Sequence, residues 1–108
     1  MNNSRRVVIT GIGAVTPIGT TAAGLWSGLE ARVSAVRTVT RFDPTPFRSR
    51  MAAEIPDFRP QDHLDAKRAR RLDRFSQLAV TSARLALADS ELDLARSVAR
   101  RRSARRGG

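Results

Sequence analysis

The amino-terminal region begins with a short run of β-branched residues that leads into closely spaced glycines. Residues 7–9 are Val, Val and Ile, and consecutive apolar positions are typical of a strand that is buried on both faces. Gly11 and Gly13 follow directly, and this spacing predicts a tight exit turn. We therefore expect a buried strand over residues 7–10.

A helical pattern follows the turn. Thr20 or Thr21 is placed to cap a helix over residues 22–31, because a threonine hydroxyl accepts hydrogen bonds from the free amides of a first turn. Three large apolar residues share one side at helical spacing, namely Leu25, Trp26 and Leu29. The pattern predicts one short amphipathic helix.

The middle of the chain loses this periodicity. Pro44 and Pro46 predict an extended connection within residues 32–50, and residues 51–55 predict a second short strand. Pro60 then opens a predicted helical turn. We expect this region to consist mainly of loops.

The longest periodic segment covers residues 74–90. Asp73 precedes it, and its carboxylate is placed to accept from the first amides of a helix. A face that becomes polar at its end repeats at helical spacing and comprises Phe75, Leu78, Ala79, Ser82, Leu85, Ala86 and Asp89. Four small residues lie on or beside this face, namely Ala79, Ser82, Ala83 and Ala86. Small side chains allow close approach, so we expect the face to pack against a neighbouring sheet or helix.

Positive charge is concentrated at the carboxyl end. The net charge is +10, from 20 basic and 10 acidic residues, and all basic residues except Lys67 are arginine. Residues 95–108 hold six arginines and no acid, so residues 1–94 carry only fourteen basic against ten acidic residues. The body of the chain is therefore only mildly basic, and the tail has too few apolar residues to order itself.

Two residue counts limit the chemistry of the chain. The absence of cysteine excludes disulfides, thiolate metal sites and a cysteine nucleophile within these 108 residues. The one histidine, His63, cannot supply the paired imidazoles of most zinc sites, and we expect it on the surface. We therefore predict neither a catalytic residue nor a metal site here.

The hydropathy pattern argues against both a transmembrane helix and a signal peptide. No run reaches the roughly eighteen apolar residues of a transmembrane helix, which excludes one. Arg5 and Arg6 precede apolar residues as in a signal peptide, but Gly11, Gly13 and Pro17 break the helix that such a segment prefers. We expect a cytoplasmic protein that does not engage a membrane.

The two early glycines also have a ligand-binding interpretation. Glycines after a strand allow backbone amides to approach a pyrophosphate in dinucleotide-binding turns. Thr16 replaces the third glycine of that motif, and Pro17 interrupts the expected helix start. We interpret the glycines as a tight strand exit and predict no bound cofactor.

A basic cluster precedes the long helix. Its four residues, Lys67, Arg68, Arg70 and Arg71, place four positive charges within five positions. On patterning alone they form a solvated helix end that is balanced by nearby carboxylates, namely Asp62, Asp65 and Asp73. The alternative is a docking surface for an acidic partner.

Four segments of the chain carry a family resemblance. They are RRVVITGIGAVTPIG, LWSGLEA, TRFDPTPFRSRMAAEIPDF and AKRARRLDRFSQLAVTSARLALADSELDL. In this order and spacing, over residues 4–94, they resemble the amino-terminal part of the β-ketoacyl-acyl carrier protein synthase II family. The ketosynthase subunits of type II polyketide synthases are similar here too, so the fatty-acid and polyketide branches both stay open.

The resemblance implies an α/β, thiolase-like fold, of which residues 1–94 hold an incomplete amino-terminal portion. Family enzymes condense acyl thioesters with malonyl-acyl carrier protein by decarboxylation, using one cysteine and two histidines. None of that triad is present, so we expect a truncated member of an acyltransferase family that is inactive alone. Without its neighbouring strands, the segment over residues 7–10 is expected to expose apolar surface and unpaired amides.

The same resemblance implies partners. Full-length members are homodimeric or heterodimeric and act with acyl carrier protein. That partner carries the phosphopantetheine, so the chain itself needs no cofactor. The basic cluster is similar in position to the patch that docks the acidic recognition helix of the carrier protein. Lys67, Arg68, Arg70 and Arg71 are therefore the candidate docking residues.

The chain departs from the family at three places. Arg32 and Glu91 stand where the family has helix-ending glycines, which removes the easiest left-handed caps and predicts lower local stability. Residues 95–108 replace an expected core strand with a composition typical of out-of-frame translation of GC-rich DNA, and they predict a disordered basic tail. The rival hypothesis is a small basic interaction module that binds nucleic acid through this tail, without sequence specificity, or binds acyl carrier protein without catalysis.

Overall fold

The computed structural model describes residues 4–99. Its four strands are β1 (Val15–Thr16), β2 (Gly19–Thr20), β3 (Arg37–Thr38) and β4 (Met51–Ala52), and its main helices are α1 (Thr21–Ala31), α2 (Ala66–Arg71) and α3 (Arg74–Ser90). A 3₁₀ turn covers Pro60–Asp62, as the proline at its first position predicts. The described chain is therefore a mixture of helices and very short strands.

β1 and β2 form a small antiparallel hairpin in which Val15 pairs with Thr20 and Thr16 with Gly19. The Thr16 hydroxyl closes the connection, because Oγ1 donates to the Gly19 carbonyl at 2.8 Å and accepts from the Gly19 amide at 3.1 Å. Thr16 therefore has a structural role at the position where a dinucleotide-binding turn has its third glycine.

α1 begins directly after this hairpin. The Thr21 amide donates to the Ala14 carbonyl at 2.8 Å, and Thr21 Oγ1 accepts from the Gly24 amide at 3.2 Å, so Thr21 is the capping side chain. The hairpin and the helix are in close contact, because a Cβ atom at Gly28 would overlap the Ile18 carbonyl oxygen. The predicted helix is confirmed, with its cap assigned to Thr21.

The middle region is more ordered than its sequence pattern predicts. β3 and β4 pair antiparallel, with Arg37 opposite Ala52, which confirms a strand at Met51 and adds an unpredicted one at Arg37. Between them, Asp43 Oδ1 accepts from the Thr45 amide at 3.0 Å, and the Arg50 guanidinium donates to the Thr45 carbonyl at 2.9 Å. Side-chain hydrogen bonds to backbone therefore shape the proline-rich loop.

The boundaries of α3 agree with the sequence prediction. Asp73 Oδ1 accepts from the Ser76 amide at 2.8 Å, as expected of an N-cap. Asp65 caps α2 in the same way, since its Oδ1 accepts from the Arg68 amide at 2.9 Å. Two aspartate caps thus set the starting points of two consecutive helices.

Residues 7–10 form no strand, and the prediction of a buried strand there is wrong. Val7, Val8 and Ile9 are 92%, 70% and 85% exposed, and within residues 4–99 this segment makes no backbone hydrogen bond. Both two-stranded sheets of the described chain lie elsewhere, so the segment has no neighbouring strand. The accompanying expectation, that the segment exposes its apolar surface when neighbours are absent, is confirmed.

The predicted apolar face of α3 is only partly covered. Phe75 is 79% exposed and Ala79 is exposed as well, whereas Thr81, outside the predicted face, is fully buried. The segment over residues 11–13 contacts this face only in the carboxyl-terminal half of α3, away from Phe75. Phe75 has no element of the described chain to pack against, so the prediction that it is buried is wrong.

The carboxyl-terminal half of α3 does make the predicted close contact. A Cβ atom at Gly13 would overlap the Ser82 carbonyl oxygen, and one at Gly11 would overlap the Ala86 carbonyl oxygen. The Ile12 amide between them donates to Asp89 Oδ2 at 2.8 Å. The two glycines therefore allow backbone to lie directly on a helix, which explains them without any bound phosphate.

The residues that directly follow α1 and α3 have the left-handed backbone conformation that is expected where the family has a helix-ending glycine. Arg32 after α1 and Glu91 after α3 both have φ of 54°. Residues 94–99 then form a further helical segment, in which the Ser97 amide donates to the Asp93 carbonyl at 3.0 Å. The disorder expected of residues 95–108 stays a prediction. The remainder of the predicted tail, residues 100–108, lies outside the described residues.

Candidate functional site

The basic cluster lies on α2 with all four side chains exposed. With about 100° of rotation per residue, Lys67, Arg68, Arg70 and Arg71 occupy an arc of about 160° on this helix. Ala69 lies on the opposite side and is buried. The short helix therefore presents one continuous positive face to solvent and one small apolar residue to the protein.

Contacts to α3 hold this face in place. Gln77 Nε2 donates to the Ala69 carbonyl at 2.8 Å and to the Leu72 carbonyl at 3.1 Å. These bonds satisfy carbonyls at the end of α2 that have no partner within the helix. A six-residue helix is too short to persist alone in water, so Ala69 burial, the Asp65 cap and Gln77 position the cluster.

One member of the basic cluster has an ion-pair partner. Arg68 Nε lies 3.4 Å from Asp65 Oδ2, and both side chains are largely exposed. Such a pair contributes only about 0–1 kcal/mol in water. Within residues 4–99, Lys67, Arg70 and Arg71 have no carboxylate at ion-pair distance. Among residues 4–99, Asp62 and Asp73 therefore make no ion pair with the basic cluster, and three of its four cations lack a direct carboxylate partner.

Two nearby arginines have a different role. The Arg74 guanidinium donates to the Ile55 carbonyl at 2.7 Å and the Phe58 carbonyl at 3.2 Å, and it lies 5.0 Å from the centre of the Phe58 ring. Burial, and secondarily the charge of Arg41, lowers the pKa of Arg74. Arg84 donates to the His63 carbonyl at 2.8 Å. Both arginines lie on α3 and donate to loop carbonyls that precede α2. They are therefore not part of the positive face.

His63 is not the free surface residue that the sequence predicts. Its ring is half-buried and stacks on Phe58 at 5.7 Å between centroids, with 12° between the planes. The sequence does not reveal this stacking, because His63 stands in a polar turn and nothing in the pattern indicates that its ring meets the apolar ring of Phe58. Among residues 4–99, no three His, Cys, Asp or Glu side chains lie close enough to hold a metal ion.

Sequence reasoning identified the four cations but missed the residues that place them. Ala69 is the one apolar residue between the four cations. Its position was the sign in the sequence that one side of this helix is buried. Gln77 gives no such signal, because its two acceptors lie five and eight positions earlier, one on α2 and one directly after it. Nor does any helix within the described part of the chain have the length and apolarity to cross a membrane.

The described residues thus combine one exposed positive face on α2 with an uncovered apolar segment at residues 7–10. The chain matches the family described as "Beta-ketoacyl synthase, N-terminal domain" over residues 4–105. The match continues past residue 94 into the arginine-rich segment. The chain therefore belongs to the β-ketoacyl synthase family, whose members act in fatty acid and polyketide biosynthesis.

Individual relatives agree with this assignment. The chain is 41% identical over 101 residues to 3-oxoacyl-(acyl-carrier-protein) synthase 2 of Staphylococcus aureus (strain COL), which covers 94% of this chain and 24% of the relative. The enzyme of the same name from Coxiella burnetii (strain RSA 493 / Nine Mile phase I) is 47% identical over 90 residues, covering 83% and 22%. The chain thus spans about a quarter of the length of these curated relatives.

A solved structure shows the fold. "The ishigamide ketosynthase/chain length factor" superposes with a TM-score of 0.70 at 39% sequence identity, covering 82% of this chain and 22% of that chain. The described helices and strands therefore form an amino-terminal portion of the thiolase-like ketosynthase fold. The expected fold class is confirmed.

Proposed function

We propose that this chain serves as the amino-terminal segment of a condensing enzyme of fatty acid or polyketide biosynthesis. In this role it supplies scaffold and a carrier-protein docking face, and the catalytic groups come from outside these residues. The observation that carries the proposal is the family match over residues 4–105. The setting is cytoplasmic, the full-length assembly is a homodimer or heterodimer, and phosphopantetheine arrives on the carrier protein.

The chain alone performs no condensation under this proposal. Acyl transfer through a covalent intermediate requires an activated nucleophile, and the 108 residues contain no cysteine. The one imidazole, that of His63, is stacked on Phe58. Incubating the purified chain with acyl- and malonyl-acyl carrier protein is expected to leave its intact mass unchanged. A thioester adduct would contradict the proposal.

Docking is assigned to the basic cluster. The four cations form one exposed arc, three of them have no ion-pair partner in residues 4–99, and Gln77 fixes the helix that carries them. Carrier-protein docking through an acidic helix suits such a face. Opposite potentials raise the association rate, while each exposed pair contributes only about 0–1 kcal/mol. The interaction is therefore weak and sensitive to salt.

The test is an NMR titration of isotope-labelled acyl carrier protein with the full 108-residue chain at low and moderate salt. In one variant, Lys67, Arg68, Arg70 and Arg71 are all replaced by alanine. The matched control removes four exposed arginines elsewhere, namely Arg5, Arg6, Arg48 and Arg96. Both variants have the same net charge, so they separate a local face from the general charge of the chain.

The parent and the control are expected to shift the same carrier-protein resonances, and more strongly at low salt, because screening weakens exposed pairs. The cluster variant is expected to lose these shifts. Equal shifts with all three chains would show that the cluster does not carry the contact. Shifts that are independent of salt would exclude electrostatic docking.

A second candidate function rests on the six arginines of residues 95–108, which have no acid among them. Such a segment binds nucleic acid by releasing counterions, with steep salt dependence and no sequence preference. Fluorescence anisotropy with two unrelated DNA duplexes measures this binding for the full chain and for a variant that lacks residues 95–108. Loss of DNA affinity with retained carrier-protein binding would make the tail incidental to the main function.

A further inference from the structure

The loop between β3 and β4 carries two exposed aromatic rings. Phe42 and Phe47 are 57% and 56% exposed, and their ring centroids lie 5.8 Å apart with 80° between the planes. We propose that this loop, residues 41–50, is a binding site for single-stranded nucleic acid, in which unpaired bases stack on the two rings and arginines pair with phosphates. The inference goes beyond the proposed function and uses neither the basic cluster nor the segment over residues 95–108.

Hydrogen bonds at the turn and at the base of this aromatic loop hold its shape. The Phe47 amide donates to the Pro44 carbonyl at 3.0 Å and closes a turn between the two rings. At the base, next to the paired strands β3 and β4, Glu54 Oε2 accepts from the Thr40 hydroxyl at 2.8 Å. The rings are therefore positioned before a ligand binds, and this preorganisation lowers the entropy that is lost on binding.

The charge of the aromatic loop favours an anionic ligand. Its ten residues include three arginines and one aspartate, and Arg41 precedes the first ring while Arg48 follows the second. Within residues 4–99, the guanidinium groups of these two arginines have no hydrogen-bond or ion-pair partner. The carboxylate of Asp43 is engaged in the turn, because its Oδ1 accepts from the Thr45 hydroxyl at 2.6 Å. Two cations are thus available in the described chain for phosphate oxygens.

The arrangement of the rings favours unpaired bases over a protein partner. Every base has a face that stacks on an aromatic ring, whereas the faces of bases in a duplex cover one another. Because Phe42 and Phe47 meet at 80°, they do not merge into one flat apolar patch, which is the surface that a protein partner covers. The loop therefore suits single bases between phosphates, without sequence preference.

The test measures the fluorescence anisotropy of a labelled oligothymidylate that is titrated with the full 108-residue chain. Two control ligands carry the same number of phosphates, namely a strand that lacks its bases and a DNA duplex. The arginine-rich segment binds phosphates with or without bases, so the difference between the intact and the abasic strand isolates stacking. Phe42→Leu combined with Phe47→Leu keeps apolar bulk but removes both rings. Phe75→Leu is the matched control, because it removes an exposed ring outside the loop.

The parent is expected to bind the oligothymidylate about 30-fold more tightly than the abasic strand, since each of two stacked bases contributes at least about fivefold. The duplex is expected to bind at least tenfold more weakly than the single strand. The double leucine variant is expected to lose both preferences, whereas Phe75→Leu keeps them. Replacing Arg41 and Arg48 by alanine is expected to weaken binding of the oligothymidylate and to reduce its salt dependence.

Three results would overturn the inference. They are equal affinity of the parent for the intact and abasic strands, equal affinity of the parent and the double leucine variant, and tighter binding of the duplex than of the single strand. If the leucine variant lost the circular dichroism of the parent, the three ligands compared on the parent alone would decide.

The carrier-protein titration shows whether the aromatic loop contacts protein instead. If the double leucine variant bound the oligothymidylate like the parent but lost the carrier-protein shifts, the loop would be a protein contact and the inference would be overturned. Failure of nucleic-acid binding with intact carrier-protein shifts would remove the aromatic loop as a site and leave the proposed function unchanged.

Discussion

Replacing Arg32 and Glu91 by glycine is expected to stabilise the chain. Both residues have φ of 54° at the ends of α1 and α3, and each amide donates to a carbonyl three residues earlier, at 3.2 Å and 3.3 Å. The left-handed conformation costs a residue with a Cβ atom about 1–2 kcal/mol. Glycine removes that cost and keeps the capping geometry.

The net gain is smaller than the strain that is relieved. Glycine also increases the conformational entropy of the unfolded chain, which offsets about 0.4–1 kcal/mol. Each substitution is therefore expected to add about 0.5–1 kcal/mol to the free energy of unfolding. The two sites end different helices and share no hydrogen-bond partner, so their effects are expected to add to about 1.5 kcal/mol. For a chain of this size, that corresponds to a rise in Tm of about 6–12 °C.

Thermal unfolding followed by circular dichroism at 222 nm measures this gain, since α1 and α3 provide most of the helical signal. Arg32→Ala and Glu91→Ala are the controls, because alanine removes the same side chains but keeps the Cβ atom. The alanine variants are expected to match the parent within about 0.5 kcal/mol. Equal Tm values for the glycine and alanine variants would refute the strain argument.

Three further predictions concern other parts of the chain. Thr81→Val is expected to stabilise the chain by about 1 kcal/mol in urea unfolding, since the fully buried hydroxyl has no hydrogen-bond partner among residues 4–99, whereas Thr81→Ser keeps that hydroxyl and should destabilise. Gly13→Ala is expected to destabilise the chain by at least about 1 kcal/mol, because the added Cβ atom would overlap α3. Gly24→Ala is the control and should be neutral or stabilising, since the nearest neighbour of its Cβ atom would lie at 3.5 Å. Equal effects of the two substitutions would contradict the close contact at Gly13. The hydrogen bond from the Thr40 side chain lowers the pKa of Glu54 from its ordinary 4.5, so its contribution is present above that value and is lost as pH falls through the lowered pKa. Glu54→Gln should flatten this acid limb of stability, and Glu30→Gln, which removes a carboxylate that makes no hydrogen bond within residues 4–99, is the control for the loss of one negative charge.

Local signals in the sequence were sufficient for the helices. Asp73 and the small residues at Ser82 and Ala86 predicted the start of α3 and its close contact, because caps and helical spacing act within a few residues. The same reasoning located α1, whereas the left-handed positions at Arg32 and Glu91 were expected only from the resemblance to a family with helix-ending glycines there. These features depend on backbone chemistry that each short segment carries by itself.

Features that depend on distant partners were not predictable in the same way. The segment over residues 7–10 has the composition of a buried strand but no neighbouring strand in the described chain, so its composition predicted burial where the structure shows exposure. The predicted burial of Phe75 was wrong for the same reason, since no element of the described chain covers its ring. In the candidate site, the four cations were visible in sequence, whereas the anchoring by Gln77 arises only when α2 and α3 meet.

The contact of Gly11 and Gly13 with α3 also determines when the amino-terminal segment finds its position during synthesis. About 70 residues separate Gly13 from Ser82, and at 5–20 residues per second a ribosome needs about 4–14 s to make them. Throughout that interval the apolar residues 7–9 have been synthesised, whereas the helix that anchors their exit turn has not. Residues 7–9 are therefore made well before the helix that positions their exit turn, so the nascent segment lacks this anchor until α3 has been synthesised.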